Sequence, residues 1–350
     1  MIKVGIVGSS GYAGGEALRI LLQHREVEVS VVTSKKYAGK QVFKVHTNLK
    51  GFTDLKYSEK SPLDVATEVD VMFLAVPHGE SVKITPKILE QGTRVVDMSA
   101  DFRLKNPEDY PKWYGWEHTA PDLLPKFTYG LAEIHREELK SAKNIASPGC
   151  TACCSIYGLA PFAKAGMLNG TAIIDVKTGS SASGSSVSLA SNFSEHANSV
   201  RIYKPWGHRH IAEIEQELSY VSGKKQKATM SAHSVNMVRG ILATSSFFTE
   251  EEIGETKVWG AMRAMYKNEP FVRYIMDKNG VFRYPDPKIV AGSNFVDIGF
   301  DYDKHANRMI SISAIDNLIK GAAGNAVQSM NIMMGFKETE GLMQAPFHPM

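Results

Sequence analysis

An apolar strand that runs directly into a glycine-rich turn and then an amphipathic helix leaves a chain few folds to adopt. Residues Ile2 to Val7 are almost continuously apolar, the pattern of a strand buried on both faces. Gly8-Ser9-Ser10-Gly11-Tyr12-Ala13-Gly14-Gly15 follows, and EALRILLQH then sets Ala17, Leu18, Leu21 and Leu22 on one helical face. At such a turn, backbone N–H groups and the positive end of the helix dipole suit a pyrophosphate. The spacing is Gly8-x-x-Gly11-x-x-Gly14 rather than the common G-x-G-x-x-G, and a purely structural turn would use the same residues. VEVSVVTS, DVMFLAVPHG and TRVVDMSADF read as further buried strands with helices between them. That alternation implies right-handed crossovers and a parallel sheet.

From residue 150 the pattern changes. GTAIIDVKTGSS, KATMSAHSVNMVRGILATSSFFT and NRMISISAIDN alternate more strictly and are joined by polar turns, which predicts a largely antiparallel sheet. EIEQELSYV and IGETKVWGAMRAMYKN are amphipathic helix candidates between those strands. A last helix, from Leu318 to about Met334, is rich in small residues and is expected to return to the first domain. The fold class is α/β: a Rossmann-type doubly wound parallel sheet over 1–149, joined by 318–350, and an α+β catalytic domain over 150–317. A chain of 350 residues has the length for both, and it shows neither an internal repeat nor a separating linker.

Composition excludes several functions. A hydrophobic content of 43% with 22% charged residues is that of a globular protein. Forty Lys+Arg against 37 Asp+Glu leaves +3, too weak an excess to argue for nucleic acid. No apolar run approaches the roughly 18–20 residues that cross a bilayer, and because MIKVGIVGSS begins a strand at once, no secretory leader is expected. Cys150, Cys153 and Cys154 are too close together to build a disulfide framework, so a reducing cytoplasm is expected.

The end of the second strand bears on the cofactor. An NAD site places Asp or Glu there to hold the ribose diol, whereas this chain has Thr33-Ser34-Lys35-Lys36. A hydroxyl and two ammonium groups accept a 2′-phosphate, which points to NADP(H); the alternative is a solvated basic loop. Between Glu28 and Asp54 the chain carries Lys35, Lys36, Lys40, Lys44 and Lys50 and no acidic residue. Such a run is either a wet surface or a place for an acidic partner to dock.

In Ser147-Pro148-Gly149-Cys150, the Pro-Gly turn puts Cys150 at the first turn of a helix, where unpaired N–H groups and the dipole favour thiolate. Cys153 and Cys154 fall one turn further in and are expected to face the core. Cys150-x-x-Cys153 is also the spacing of a redox pair or half a metal site, but no second ligand pair is evident and no metal is expected. A nucleophilic thiolate needs an acid/base partner. Gly207-His208-Arg209-His210 offers two histidines, and Arg201 and Lys204 add positive charge for an anionic substrate.

Together, GSSGYAGGE, TSKKYAGK, FLAVPHG, VVDMSADFRL, YGLAEIHREEL, SPGCTA, SVRIYKPWGHRHIAEIEQEL and AIDNLIKGAAGNAVQSMNIM cover almost the whole chain. They resemble the acyl-phosphate reductases of arginine and lysine biosynthesis, the N-acetyl-γ-glutamyl-phosphate reductase family. The Tyr203–His210 stretch and the tail EGLMQAPFHPM look more like its branch acting on substrates linked to LysW, a small acidic amino-group carrier protein. The resemblance implies a semialdehyde-dehydrogenase-like fold, and the exposed face of the antiparallel sheet in the second domain is expected to pair copies into a homodimer or homotetramer. The resemblance also implies NADPH-dependent reduction of LysW-linked 2-aminoadipate 6-phosphate, glutamate 5-phosphate or both, through a thioester. It implies that Ser10, Gly11, Tyr12 and Ala13 contact the NADP pyrophosphate, that Ser34, Lys35 and Lys36 hold the adenosine phosphate, and that Asn317 touches the cofactor near the nicotinamide. Cys150 would be the nucleophile and His208 the acid/base, with Arg201, Lys204 and His210 near the substrate. Arg103 would grip the phosphoryl group or serve a structural ion pair. Alternatives are the same reduction on the free acetylated substrate, an aspartate-semialdehyde dehydrogenase, and a non-catalytic NADP sensor.

Overall fold

The computed structural model describes residues 1–349 and divides into two compact units, Met1–Pro148 with Ala322–Met343, and Gly149–Gly321 with residues 344–349. Unit one contains strands β1 (Ile2–Val7), β2 (Val27–Thr33), β3 (Val71–Leu74), β4 (Arg94–Asp97), β5 (Phe127–Tyr129) and β6 (Asn144–Ala146). Its sheet runs β2-β1-β3-β4-β6-β5, every pairing parallel. Helices α1 (Tyr12–Leu21), α2 (Pro62–Ala66), α3 (Ser81–Glu90), α4 (Asp109–Tyr114) and α5 (Ala132–Ser141) connect the strands. Val4, Ile6, Met72, Phe73, Val95 and Val96 are fully buried, as near-continuous apolar strands covered on both faces must be. Strand order reverses about β1, with β2 on one side and β3 on the other, and such a switch point opens a crevice at the carboxyl ends of the strands.

Unit two is built on a seven-stranded sheet. In chain order its strands are β7 (Thr171–Thr178), β8 (Val200–Lys204), β9 (Lys227–Val235), β10 (Ile241–Phe248), β11 (Val272–Tyr274), β12 (Val296–Asp303) and β13 (Arg308–Ile315). The spatial order is β11-β12-β13-β10-β7-β9-β8. Four pairings are antiparallel, while β7–β9 and β11–β12 are parallel. The helices are α6 (Cys150–Lys164), α7 (Phe193–His196), α8 (His210–Ser222), α9 (Glu255–Tyr266) and α10 (Pro287–Val290).

Helix α6 is the core of unit two, for every residue from Thr151 to Ala163 is buried. A helix apolar all round must be enclosed. The sheet comes close enough that Ser311 Oγ donates to the Gly158 carbonyl at 2.6 Å and Ser313 Oγ to that of Cys154 at 2.7 Å. A side chain at Gly158 would stand 2.8 Å from Ser311 Oγ, so this contact requires glycine. The helix expected from Leu318 opens instead as a π-turn, Ile319–Ala323, before the α-helix Gly324–Met333. Residues 344–349 group with unit two, where Phe347 N–H donates to the Ala291 carbonyl at 2.9 Å.

Candidate active site

At the switch point of unit one lies a cleft of about 540 Å³, lined by Val7, Gly8, Thr33, Ser34, Lys35, Lys60 and Pro77 among others. Gly8 has φ +81°, and a Cβ there would stand 2.3 Å from the Ala75 carbonyl oxygen. At Gly14 a Cβ would meet the Gly8 oxygen at 2.7 Å, so these two glycines fold the turn against itself and the end of β3. Gly11 differs: nothing stands closer than 3.8 Å where its side chain would go. It is also the N-cap of α1, with no capping side chain and no acidic residue in the first turn. The result is an open shelf of uncapped N–H donors, the chemistry a pyrophosphate needs.

Ser10 Oγ and Ser34 Oγ share a 2.9 Å hydrogen bond that ties the turn to the segment after β2. Lys35 lines the cleft. Lys36 does not, and its ammonium lies 5.1 Å over the Tyr37 ring. Tyr12 is exposed and Ala13 half-buried at the start of α1. Ser58 and Lys60 complete the cleft wall, as do the carboxylate-bearing Glu59 and Glu80. None of these four carries a local motif that marks it in the sequence.

In unit two, Cys150 opens α6 and is its one residue before the buried stretch; it is half-buried and lines a pocket of about 350 Å³ with Tyr203, His208, Arg209, His210 and Arg201. Its N-cap, Gly149, has no side chain to satisfy the helix start. The Gly149 N–H donates instead to Glu213 Oε2 at 2.8 Å, and a Cβ on Gly149 would stand 2.5 Å from His210 Nε2. His210 shares a 2.5 Å hydrogen bond through Nδ1 with Thr151 Oγ1, and its Nε2 lies 3.9 Å from Glu213 Oε1. The first turn of α8 thus clamps the first turn of α6. Glu213, fully buried, is the residue that sequence reading missed; its position three after His210, on one helical face, is the signal that could have found it.

His208 is buried and its Nδ1 accepts the His210 backbone N–H at 3.2 Å, so the neutral ring carries its proton on Nε2. Burial first, then the charges of Arg209 and Lys204, hold its pKa down at about 4. The Tyr203 ring is partly exposed, but its hydroxyl end is enclosed; that burial, followed by the Cys150 charge, pushes the phenol up to about 12. Tyr203 is therefore a neutral hydrogen-bonding group beside the sulfur.

The remaining expected residues take different places. Arg201 is in the pocket wall, with its guanidinium donating to the Glu195 carbonyl at 2.6 Å, whereas Lys204 is exposed beyond the lining. Asn317 is buried within unit two: its Oδ1 accepts from Gly240 N–H at 2.8 Å and its Nδ2 donates to Ser181 Oγ at 3.0 Å. That makes it a strut between two loops. Arg103, the candidate phosphoryl grip, sits in unit one at the end of its sheet. Its guanidinium is buried and donates to the carbonyls of Ser147 at 2.7 Å and Met98 at 3.2 Å, holding the end of β6 just before the Pro-Gly turn.

A dinucleotide cleft of this kind and a nucleophilic thiol at a helix start beside imidazoles are the working parts of a dehydrogenase that uses covalent catalysis. Comparison with known proteins gives the lineage. Residues 3–142 match the semialdehyde dehydrogenase NAD-binding domain and 150–317 the semialdehyde dehydrogenase dimerisation domain. The chain is 52% identical to a Picrophilus torridus protein over 98% of both chains. It is 52% identical to one from Pyrobaculum aerophilum over 99% of this chain and all of that one, and 47% identical to one from Nitrosopumilus maritimus with the same coverage. All three are described as candidate LysW-L-2-aminoadipate/LysW-L-glutamate phosphate reductases. Among solved structures it is similar to aspartate semialdehyde dehydrogenase II of Vibrio cholerae complexed with ASA, at TM-score 0.72 and 17% identity over 96% of this chain and 98% of that one. It is also similar to the Candida albicans aspartate semialdehyde dehydrogenase with NADP, at TM-score 0.66 and 16% identity over 95% and 99%. The chain belongs to the semialdehyde dehydrogenase family, grouping with its LysW-linked phosphate reductases, and its first unit is a nicotinamide-dinucleotide-binding domain. No helix among the described residues is long and apolar enough to cross a membrane.

Proposed function

We propose that this protein is an NADPH-dependent reductase of an acyl phosphate carried on LysW, 2-aminoadipate 6-phosphate, glutamate 5-phosphate or both, yielding the semialdehyde and phosphate in lysine and arginine biosynthesis. The observation that carries the chemistry is Cys150 at the uncapped start of buried α6, in one pocket with His208 and two arginines. Its thiolate attacks the acyl carbon, the bond from that carbon to the phosphate oxygen breaks, and phosphate leaves a thioester on sulfur. Bound NADPH supplies the hydride that reduces it. His208, neutral and protonated at Nε2, donates to the carbonyl oxygen as negative charge develops there. The carbon–sulfur bond then breaks to release the aldehyde and restore the thiolate. Arg201 and Arg209 supply positive charge for the phosphoryl group.

The residues that hold the cofactor are the Ser10–Ala13 shelf and, for the 2′-phosphate, Ser34 and Lys35 in the adjoining cleft. Three further features support the reading. Lys35, Lys36, Lys40, Lys44 and Lys50 are all exposed, as docking of an acidic carrier requires. The uncovered face of the second sheet bears Ile173 and Phe248, 44% and 53% exposed, which suits assembly as a homodimer or homotetramer. Three cysteines held as thiols fit the cytoplasm.

The test offers phosphorylated LysW–aminoadipate, phosphorylated LysW–glutamate and free N-acetylglutamyl phosphate side by side with NADPH. Turnover should be confined to the carrier-linked pair and should vanish in Cys150→Ser, which still binds NADPH. Preference for the free substrate would overturn the carrier assignment, and near-normal turnover by Cys150→Ser would remove the thioester.

A further inference from the structure

Cys153 has no part in that chemistry, yet it is fully buried one helical turn beyond the proposed nucleophile. Its Sγ donates to the Lys320 carbonyl at 3.5 Å. Cys150 meets the next residue of the same segment: a Cβ built on Gly321 would stand 2.9 Å from the Cys150 Cβ. The two thiol-bearing side chains therefore flank one peptide unit, Lys320–Gly321, inside the π-turn Ile319–Ala323. Cys154 points elsewhere, its Sγ 3.3 Å from the Ser313 carbonyl, and burial pushes that thiol up to about 12.

Side chains three apart on a helix have Cβ atoms about 5–6 Å apart, and a disulfide needs roughly 3.5–4.5 Å. The difference is small, and it falls at the first residue of α6, where no preceding turn of helix holds the backbone and where the 2.8 Å Glu213 and 2.5 Å His210 hydrogen bonds engage Gly149 and Thr151 rather than Cys150. A half-exposed thiol at a helix start with a second, buried one a turn inside is the arrangement in which one cysteine reacts and the other resolves.

We propose that Cys153 is the resolving thiol of Cys150, so that hydroperoxide converts the pair into a reversible disulfide and spares the nucleophile from further oxidation. The inference rests on Cys150 being the accessible, reactive thiol. The Cys150 thiolate attacks one peroxide oxygen, the O–O bond breaks, and sulfenic acid forms as hydroxide leaves to become water. Cys153 sulfur then attacks the sulfenic sulfur: the S–S bond forms, the S–O bond breaks, and the Cys153 proton departs with the hydroxyl as a second water. The two thiols lose two protons and two electrons, and one peroxide is reduced to two waters.

The experiment treats the full chain with hydrogen peroxide, alkylates the remaining thiols, and reads intact mass, peptide fragmentation and turnover before and after dithiothreitol. The wild type should lose the mass of two hydrogens, leave one alkylatable cysteine, show a Cys150–Cys153 linkage, and regain nearly all turnover on reduction. Cys154→Ala should form the same linkage and recover likewise, with no alkylatable cysteine left. Cys153→Ala should match the wild type before oxidation, then gain the mass of two oxygens and stay inactive after dithiothreitol. Absence of the linkage in the wild type, or full recovery of Cys153→Ala, would overturn the proposal. Failure of the thioester reading is a separate result, read as unoxidised turnover of Cys150→Ser, while the linkage is read by mass alone.

Discussion

Acidification from about pH 7 to about pH 4 should weaken the wild-type fold by an increment that a His208→Gln variant escapes. Burial, and then the charges of Arg209 and Lys204, hold the His208 imidazole at about 4 against an ordinary value of 6.5. That displacement of about 2.5 units, at about 1.4 kcal/mol each, is roughly 3 kcal/mol. The sign follows from which state takes the proton. Above 6.5 the ring is neutral whether the chain is folded or not, and nothing is lost. Between 6.5 and about 4 the unfolded chain binds a proton that the folded one refuses, so stability falls with pH; below about 4 the full loss is present. The assay is urea unfolding of both proteins across this range, plotted as wild type minus variant, so that every other titration cancels. The difference should decline by roughly 3 kcal/mol on acidification. A flat difference would mean that folding leaves the His208 pKa at its ordinary value and would refute the depression by burial; a difference that rises as pH falls would mean that the folded protein holds His208 as imidazolium, and its role as a neutral Nε2–H donor would be refuted.

Other titrations and turns make equally definite demands. Asp97, fully buried, is pushed up to about 7 by burial and then by the charge of Asp101, so the folded chain keeps a proton that the unfolded one releases above 3.8. Stability from this group is present at low pH and lost as pH rises to about 7; Asp97→Asn, which can still accept the Ser99 N–H, should raise the unfolding midpoint above pH 7 and not below pH 3.8. Gly8→Ala forces a Cβ to 2.3 Å from the Ala75 oxygen at φ +81°, and should lower stability by more than about 1 kcal/mol and abolish NADPH binding in a calorimetric titration.

Much of unit one could be read directly from the chain, because its signals are local. The apolar run Ile2–Val7, the glycines of the turn and the helix after them lie within about twenty residues of one another, and the structure has them as β1, turn and α1. The start of α6 is equally local, since Pro148-Gly149 cannot continue a helix and an apolar run follows. The parallel pairings β7–β9 and β11–β12 were not legible, because strand alternation reports which face is buried and not which neighbour runs alongside.

The site divides the same way. Residue types at short spacing marked Cys150, the two histidines and the basic turn after β2 as the places where chemistry could occur. What each side chain does there depended on partners far along the chain: Glu213 holding the Gly149 N–H, Arg103 turned to the Ser147 carbonyl, Asn317 bridging Ser181 and Gly240, and Lys60 brought to the nucleotide cleft. A local sequence specifies a turn or a helix start because backbone sterics and hydrogen bonding act over a few residues. The partner of a buried polar group is whichever one the packed sheets bring within about 3 Å, and only the assembled core decides that.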